Sequence, residues 1–99
     1  MQLRIDRTPS SKRDVFDIWD YVSPHSPMGA ERIIRLVGKT ITMLSEQPDV
    51  GRKRSELGRD IRSFPVSGYL VFYRHTTSIL TVVRILHAAR DITPDMFED

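Results

Sequence analysis

Cations dominate the side chains of this sequence that could do chemistry. Arg52, Lys53, Arg54, Arg59 and Arg62 crowd between positions 52 and 62, where only Glu56 and Asp60 oppose them. Such a cluster attracts nucleic acid or an acidic protein surface, or is simply a solvated loop. Arg84 is different, because it interrupts the apolar run Ile79 to Leu86. It must either reach an edge or pair with a carboxylate, and a structural ion pair is the expectation. Arg90 closes that segment next to Asp91, an acid expected to cap a turn or pair internally. His25, His75 and His87 lack metal-ligand spacing, and a surface or strand-end role is expected for His87 rather than that of a base. The chain has no Gly-x-Ser-x-Gly elbow and no phosphate-cradling glycine loop. These residues can bind charge, but they form no proton-transferring set. No catalytic residue, metal or cofactor is therefore expected.

Composition sets the frame for these groups. The chain has 99 residues, a formal net charge of +2 and no cysteine. One domain over residues 1–99 is expected, with a modest core. Without cysteine the fold uses neither disulfides nor thiolate metal sites, which suits a reducing cytosol. The first residues alternate rather than forming the apolar stretch of a signal peptide. The longest apolar run, Tyr69 to Tyr73, is far short of a membrane span. A soluble, cytoplasmic protein is expected. The charge is uneven, since the tail after Arg90 carries Asp91, Asp95, Glu98 and Asp99 and no base.

The elements that position the cations follow from periodicity. Leu3 and Ile5 alternate with Arg4 and Asp6, the pattern of a half-buried strand over Gln2–Arg7. Thr8-Pro9 opens a helix, threonine capping and proline at the first helical position, with Ser11 and Asp14 as an alternative capping register. Val15, Ile18, Trp19 and Val22 make one apolar stripe, which predicts a helix to about Val22 with Trp19 in the core. Tyr21 lies off the stripe and is a candidate for a partner surface. Ser26-Pro27 repeats the start signal. Ala30, Ile33, Ile34, Val37, Ile41 and Leu44 then share a face of a second helix ending before Pro48. Gly38, in its middle, is expected to mark a close helix contact. The short link predicts an antiparallel helical hairpin.

Asp49 to Asp60 reads as a loop. Strands are predicted over Ile61–Phe64, Tyr69–His75 and Ile79–His87, with Pro65 and Gly68 in the first turn. Thr93-Pro94-Asp95 predicts a short terminal turn. The fold class is α+β, ordered β-α-α-β-β-β, with the hairpin on an antiparallel sheet. In the last strand Ile79, Val83 and Ile85 fall on one face, and Leu80, Val82 and Leu86 on the other. Helices can cover only one face. The expectation is an exposed apolar strip on the other, open to a partner.

These motifs, in this order, resemble the ParE branch of the RelE/ParE toxin superfamily. The resemblance is carried by Thr8-Pro9, the helix from Asp14 to Tyr21, Ser26-Pro27, the Pro-x-x-Gly-Arg loop Pro48 to Arg52, Arg62-Ser63, the strand Tyr69 to Arg74, and the last strand from Val82 to Arg90-Asp91. It covers nearly the whole chain. It implies the toxin of a type II toxin–antitoxin pair, neutralised by a ParD-like antitoxin that folds over it. The ParE branch inhibits DNA gyrase, whereas the RelE branch cuts messenger RNA on the ribosome. RNA cleavage without metal needs a base, an acid and phosphate-binding cations. At the positions matching the nuclease branch this chain has Ile61, Ser63, Leu70 and Met96, with Arg90 retained and Arg62 and Arg84 nearby. The resemblance thus implies a gyrase inhibitor that is not an enzyme and binds no nucleic-acid sequence alone. The alternatives are a nuclease using Arg62, Arg84 and Arg90, or a degenerate toxin that retains only antitoxin binding. Candidate target or antitoxin contacts are Arg52, Lys53, Arg54, Arg59, Arg62, Tyr21, Arg84 and Arg90.

Overall fold

A computed structural model of the chain describes residues 2–98, so Asp99 of the acidic tail lies outside the described residues. Strand β1 (Arg4–Arg7) leads into helices α1 (Pro9–Val22) and α2 (Pro27–Glu46). Strands β2 (Arg52–Lys53), β3 (Arg62–Val66), β4 (Tyr69–His75) and β5 (Ile79–His87) follow, then a 3-10 turn over Pro94–Phe97. Both helices start at the expected caps: Thr8 Oγ1 accepts from the Ser11 amide at 3.1 Å, and Ser26 Oγ from the Gly29 amide at 2.9 Å. Thr8 owns the first cap, and Ser11 is buried with its hydroxyl donating back to the Thr8 carbonyl.

The sheet order is β1-β5-β4-β3-β2. Two features depart from the expected meander. Strand β1 pairs with β5 in parallel, Arg4 opposite Ile79 and Arg7 opposite Val82. The helical hairpin is long enough to carry the chain back for that pairing. Residues Arg52–Lys53, expected as loop, add a fifth strand against Ser63 and Arg62. Pro65 lies within β3, and Ser67 and Gly68 make the turn with positive φ.

The core lies on both faces of the sheet. On the helical face Ile18, Val37, Ile41 and Leu44 pack against Tyr69, Val71, Tyr73, Leu80, Val82 and Ile85. The second face, expected to be bare, is covered from within. Leu57 from the loop and Phe97 from the tail bury Ile61, Phe72, Val83 and Leu86, with Leu70, Ile92 and Met96 at the margin. Phe97 meets Phe72 edge-on at 4.9 Å between ring centres. The expected apolar strip therefore does not exist, because residues read as loop and tail fold over it. The face assignment in β5 changes as well. Tyr73 faces Val82 and Phe72 faces Arg84, which leaves Val83 as an extra residue. Such a bulge resets the alternation, so Val82 and Ile85 share the helical face and Val83 joins Leu86 on the other.

Trp19 does not enter the core but stays 38% exposed beside a 70% exposed Phe16. Helix α1 buries Ser11, Asp14 and Ile18 instead, a narrower stripe turned toward β5. Gly38 marks no helix contact, since a Cβ there would meet nothing. Among the described residues no helix is long and apolar enough to cross a membrane.

Candidate functional site: an α1–sheet cleft and a basic sheet edge

The candidate residues divide into two regions. The first is built where α1 crosses β5. Beyond Val82, β5 has lost its β1 neighbour, and its outward backbone groups need partners. Thr8 Oγ1 donates to the Val83 carbonyl at 2.7 Å, and the Ile85 amide donates to Asp14 Oδ2 at 2.9 Å. The same carboxylate receives Arg84 through Nε at 2.8 Å and Nη2 at 2.9 Å, a two-pronged pair. Arg84 Nη1 donates to the Met96 carbonyl at 3.0 Å. Arg84 thus ties α1, β5 and the tail together, the structural role expected of it.

Beside this joint lies a cleft of about 420 Å³. Ile18, Tyr69, Ile85 and Leu86 are buried in its floor, and Asp17, Tyr21, His87 and Arg90 are exposed around it. Tyr21 and Arg90, distant in sequence, thus meet at one opening. Burial pushes the Tyr69 phenol above its ordinary value, with Tyr21 adding to the shift. The His87 ring stands edge-on to Tyr69 at 5.2 Å, and its Nδ1 accepts from the Ala89 amide. It is a strand-end histidine, as expected. Asp91 is exposed and its carboxylate makes neither a hydrogen bond nor an ion pair among the described residues, contrary to the internal role expected of it. The cleft can seat an apolar group and present a guanidinium and a phenol to it. Sequence reasoning missed Asp17 and Tyr69, whose only signal was their proximity after folding.

The second region is the basic segment. Two of its five cations are held internally. Arg54 pairs with Glu56 at 2.8 Å, reaches Ser63 Oγ at 3.2 Å and lies over the Phe72 ring at 5.6 Å. That hydrogen bond holds the Glu56 carboxyl below its usual range. Arg62 donates to the carbonyls of Asp49 and Gly51, and sits 3.5 Å from the Asp49 carboxylate, which also meets His75 at 2.9 Å. Arg59 is exposed beside Asp60 at 3.8 Å. Arg52 and Lys53 remain, exposed on the outermost strand with no side-chain partner among the described residues. Charges on an edge strand also discourage further strand pairing.

The Pro48 to Arg52 loop owes its shape to Tyr73. This buried phenol donates to the Pro48 carbonyl at 2.8 Å and accepts from the Gly51 amide at 2.9 Å. A Cβ at position 51 would lie 2.3 Å from the Tyr73 oxygen, so only glycine fits. The positions matched to the nuclease branch fall on the second sheet face. Ile61 is buried, Leu70 and Met96 pack at the margin of that core, and Ser63 accepts from Arg54. Among the described residues no cluster of three His, Cys, Asp or Glu could hold a metal.

Comparison with known proteins agrees with this architecture. The chain is 27% identical to toxin RelE3 of Caulobacter vibrioides over 85% of its own length and 92% of that protein's. It is 31% identical to toxin RelE2 of the same organism, over 78% of its length and 85% of the relative's. Its fold matches a chain of the chromosomal ParDE toxin–antitoxin system from P. aeruginosa with a TM-score of 0.72, at 17% identity, covering 87% of this chain and 96% of the other. It also matches a chain of the toxin–antitoxin complex RelBE2 from Mycobacterium tuberculosis with a TM-score of 0.66, at 23% identity, covering 88% and 99%. A family model described as the ParE toxin of the type II toxin–antitoxin system parDE fits residues 5–92, and the chain belongs to that family.

Proposed function

We propose that the chain is a toxin that acts by binding and inhibiting DNA gyrase rather than by cutting RNA, and that a ParD-like antitoxin neutralises it. The observation that carries this reading is the second sheet face. Where cleavage chemistry would need an acid, a base and free cations, Ile61, Leu70 and Met96 join a closed apolar cluster. Arg84 and Arg62 are bound internally, which leaves Arg90 as the exposed cation of that trio. A single guanidinium can hold a phosphate but cannot supply both proton transfers. Arg52, Lys53, Arg59, Arg90 and Tyr21 are the exposed candidates for contact with a target.

A second reading, ribosome-dependent cleavage of messenger RNA, is favoured by the names of the two Caulobacter relatives. One experiment separates the two. The chain is expressed with and without a co-expressed ParD-like antitoxin. Growth, gyrase supercoiling and primer extension on a translated message are then measured. Growth arrest with lost supercoiling and intact message is the expected result. Cuts that vanish on Arg90→Ala would overturn it in favour of the nuclease. Normal growth with folded protein would leave a toxin reduced to antitoxin binding.

A further inference from the structure

The cleft between α1 and β5 holds polar groups that the fold leaves unused. The first is the Tyr69 phenol. The residue is 8% exposed and lines the cleft, yet its oxygen makes no hydrogen bond among the described residues. No side-chain polar atom among those residues is both sealed from solvent and unpaired, so this oxygen opens into the cleft. The others belong to the backbone of β5. The Ile85 amide turns away from β4 to reach Asp14, so the Ile85 carbonyl and, two residues on, the His87 amide point the same way. No strand lies on that side, because β1 pairs with β5 only as far as Val82.

We infer that this cleft takes an extended peptide segment of a partner protein, added to the sheet parallel to β5 on the line that β1 leaves. The free backbone groups set the direction. An antiparallel neighbour exchanges both of its bonds with one residue. At Ile85 the amide is already held by Asp14, and at His87 the carbonyl already accepts from the Arg90 amide. A parallel neighbour instead donates to one residue and accepts from the residue two further on, which is the pair that remains. In strand addition of this kind the main chain supplies affinity and alternate side chains supply specificity. The central residue of the segment lies opposite Leu86, which faces the tail-covered side of the sheet. The residues on either side of it therefore face the helical layer, where Ile18, Tyr69 and Ile85 form an apolar floor.

Charge completes the description of the partner. Arg84 neutralises Asp14, so the lining carries one unpaired carboxylate, Asp17, and one unpaired guanidinium, Arg90. Asp20 and Asp91 lie outside the lining. The complement is a segment with apolar side chains flanking its central residue, one base and one acid. The acid falls at its C-terminal end, because Arg90 follows β5. The site is independent of which target the toxin inhibits, so its failure would leave the supercoiling test untouched.

A phage-displayed library of random heptapeptides, panned on the folded chain, tests this. A selected peptide is synthesised with blocked ends and titrated. Apolar residues two apart with an acid C-terminal to them are expected. Binding should slow hydrogen exchange at the His87 amide, read by NMR, by about tenfold or more, and leave the Leu86 amide, which faces β4, unchanged. Methylating the peptide nitrogen between the two apolar residues should weaken binding about tenfold, and Tyr69→Phe about fivefold. Arg90→Glu should weaken it too, and a peptide with its acid changed to lysine should recover part of that loss. Tyr69→Phe keeps the ring and Arg90 is exposed, and circular dichroism establishes that both variants fold. A bound peptide that is helical, or that leaves the His87 amide exchanging freely, would overturn the proposal. So would binding indifferent to nitrogen methylation, resonance shifts confined to the β2 edge, or a library that yields no peptide tighter than its scrambled copy.

Discussion

Asp14 does the most work of any single side chain. Its two oxygens accept three hydrogen bonds: two from Arg84 and one from the Ile85 amide. Removing it strands a largely buried guanidinium and a strand amide together. Breaking a buried pair in this way costs about 3–5 kcal/mol. Asp14→Ala should therefore lose about 3 kcal/mol or more of stability, measured by urea unfolding, while Arg90→Ala should change little. The Arg84 pairing was legible in the sequence, because a charge inside an apolar strand must find a partner. Its partner was not, since Asp14 lies 70 residues away and reads equally well as a capping acid. Tyr73 gives a second residue-scale test. Burial raises its phenol above the ordinary value of 10.0, offset in part by the Gly51 amide and Arg62. The folded chain therefore holds the neutral form more firmly than the unfolded chain does. The resulting stability is fully present below about pH 10 and is lost as pH rises through the folded value. Tyr73→Phe should flatten that alkaline loss, leaving the contribution of Tyr69. It should also cost about 1–3 kcal/mol at neutral pH, because the Gly51 amide and Pro48 carbonyl lose their partner. Denaturant midpoints between neutral and alkaline pH measure both effects.

Among the elements, the helices were the most legible. Thr8-Pro9 and Ser26-Pro27 are local signals, and the caps depend on nothing distant. The strands were less so. Strand β2 has only two residues, both charged, so no hydrophobic pattern marks it. The parallel pairing of β1 with β5 is a topological fact that periodicity cannot carry. The bulge at Val83 shifted half of β5 to the opposite face, and nothing in the run Thr81-Val82-Val83-Arg84 announces it. Strand β2 also changes how the basic segment should be tested. Reversing Arg54 would break its bonds to Glu56 and Ser63 and disturb the fold. Arg52→Glu with Lys53→Glu reverses only exposed charges and should leave stability within about 0.5 kcal/mol. If the edge meets gyrase or its DNA, the pair should weaken inhibition at low salt and less at high salt. A supercoiling assay across ionic strength reads this, and unchanged inhibition at low salt would return the edge to a solvated role.

At the scale of the whole molecule, the tail decides which surfaces are available. A hairpin on one face of a sheet leaves the other face apolar, and this chain resolves the problem with its own last residues. Phe97 is buried against Phe72, Ile92 and Met96 pack beside it, and Arg84 holds the Met96 carbonyl. The family match ends at residue 92, so most of this cover lies beyond the matched region. Its sequence gave little warning: Pro94, Asp95 and Glu98 make the segment polar, and only Phe97 and Met96 signal burial. With that face covered, the α1 cleft, the β2 edge and the outer side of the hairpin are the surfaces the molecule exposes. Phe97→Ala removes a buried ring and should cost about 3 kcal/mol, which for a domain of this size lowers Tm by about 12–24 °C. Truncation before Ile92 should do more. It bares Phe72, Val83 and Leu86 together, and an uncovered apolar face of that kind recruits dye and other copies of the chain. The truncated protein should bind an environment-sensitive hydrophobic dye and self-associate independently of salt, because its new contact is apolar rather than ionic. Thermal melts, dye fluorescence and sedimentation of the Phe97→Ala and truncated chains measure these outcomes. A truncated chain as stable and as dye-silent as the full chain would mean that Leu57 and its loop suffice to close the second face.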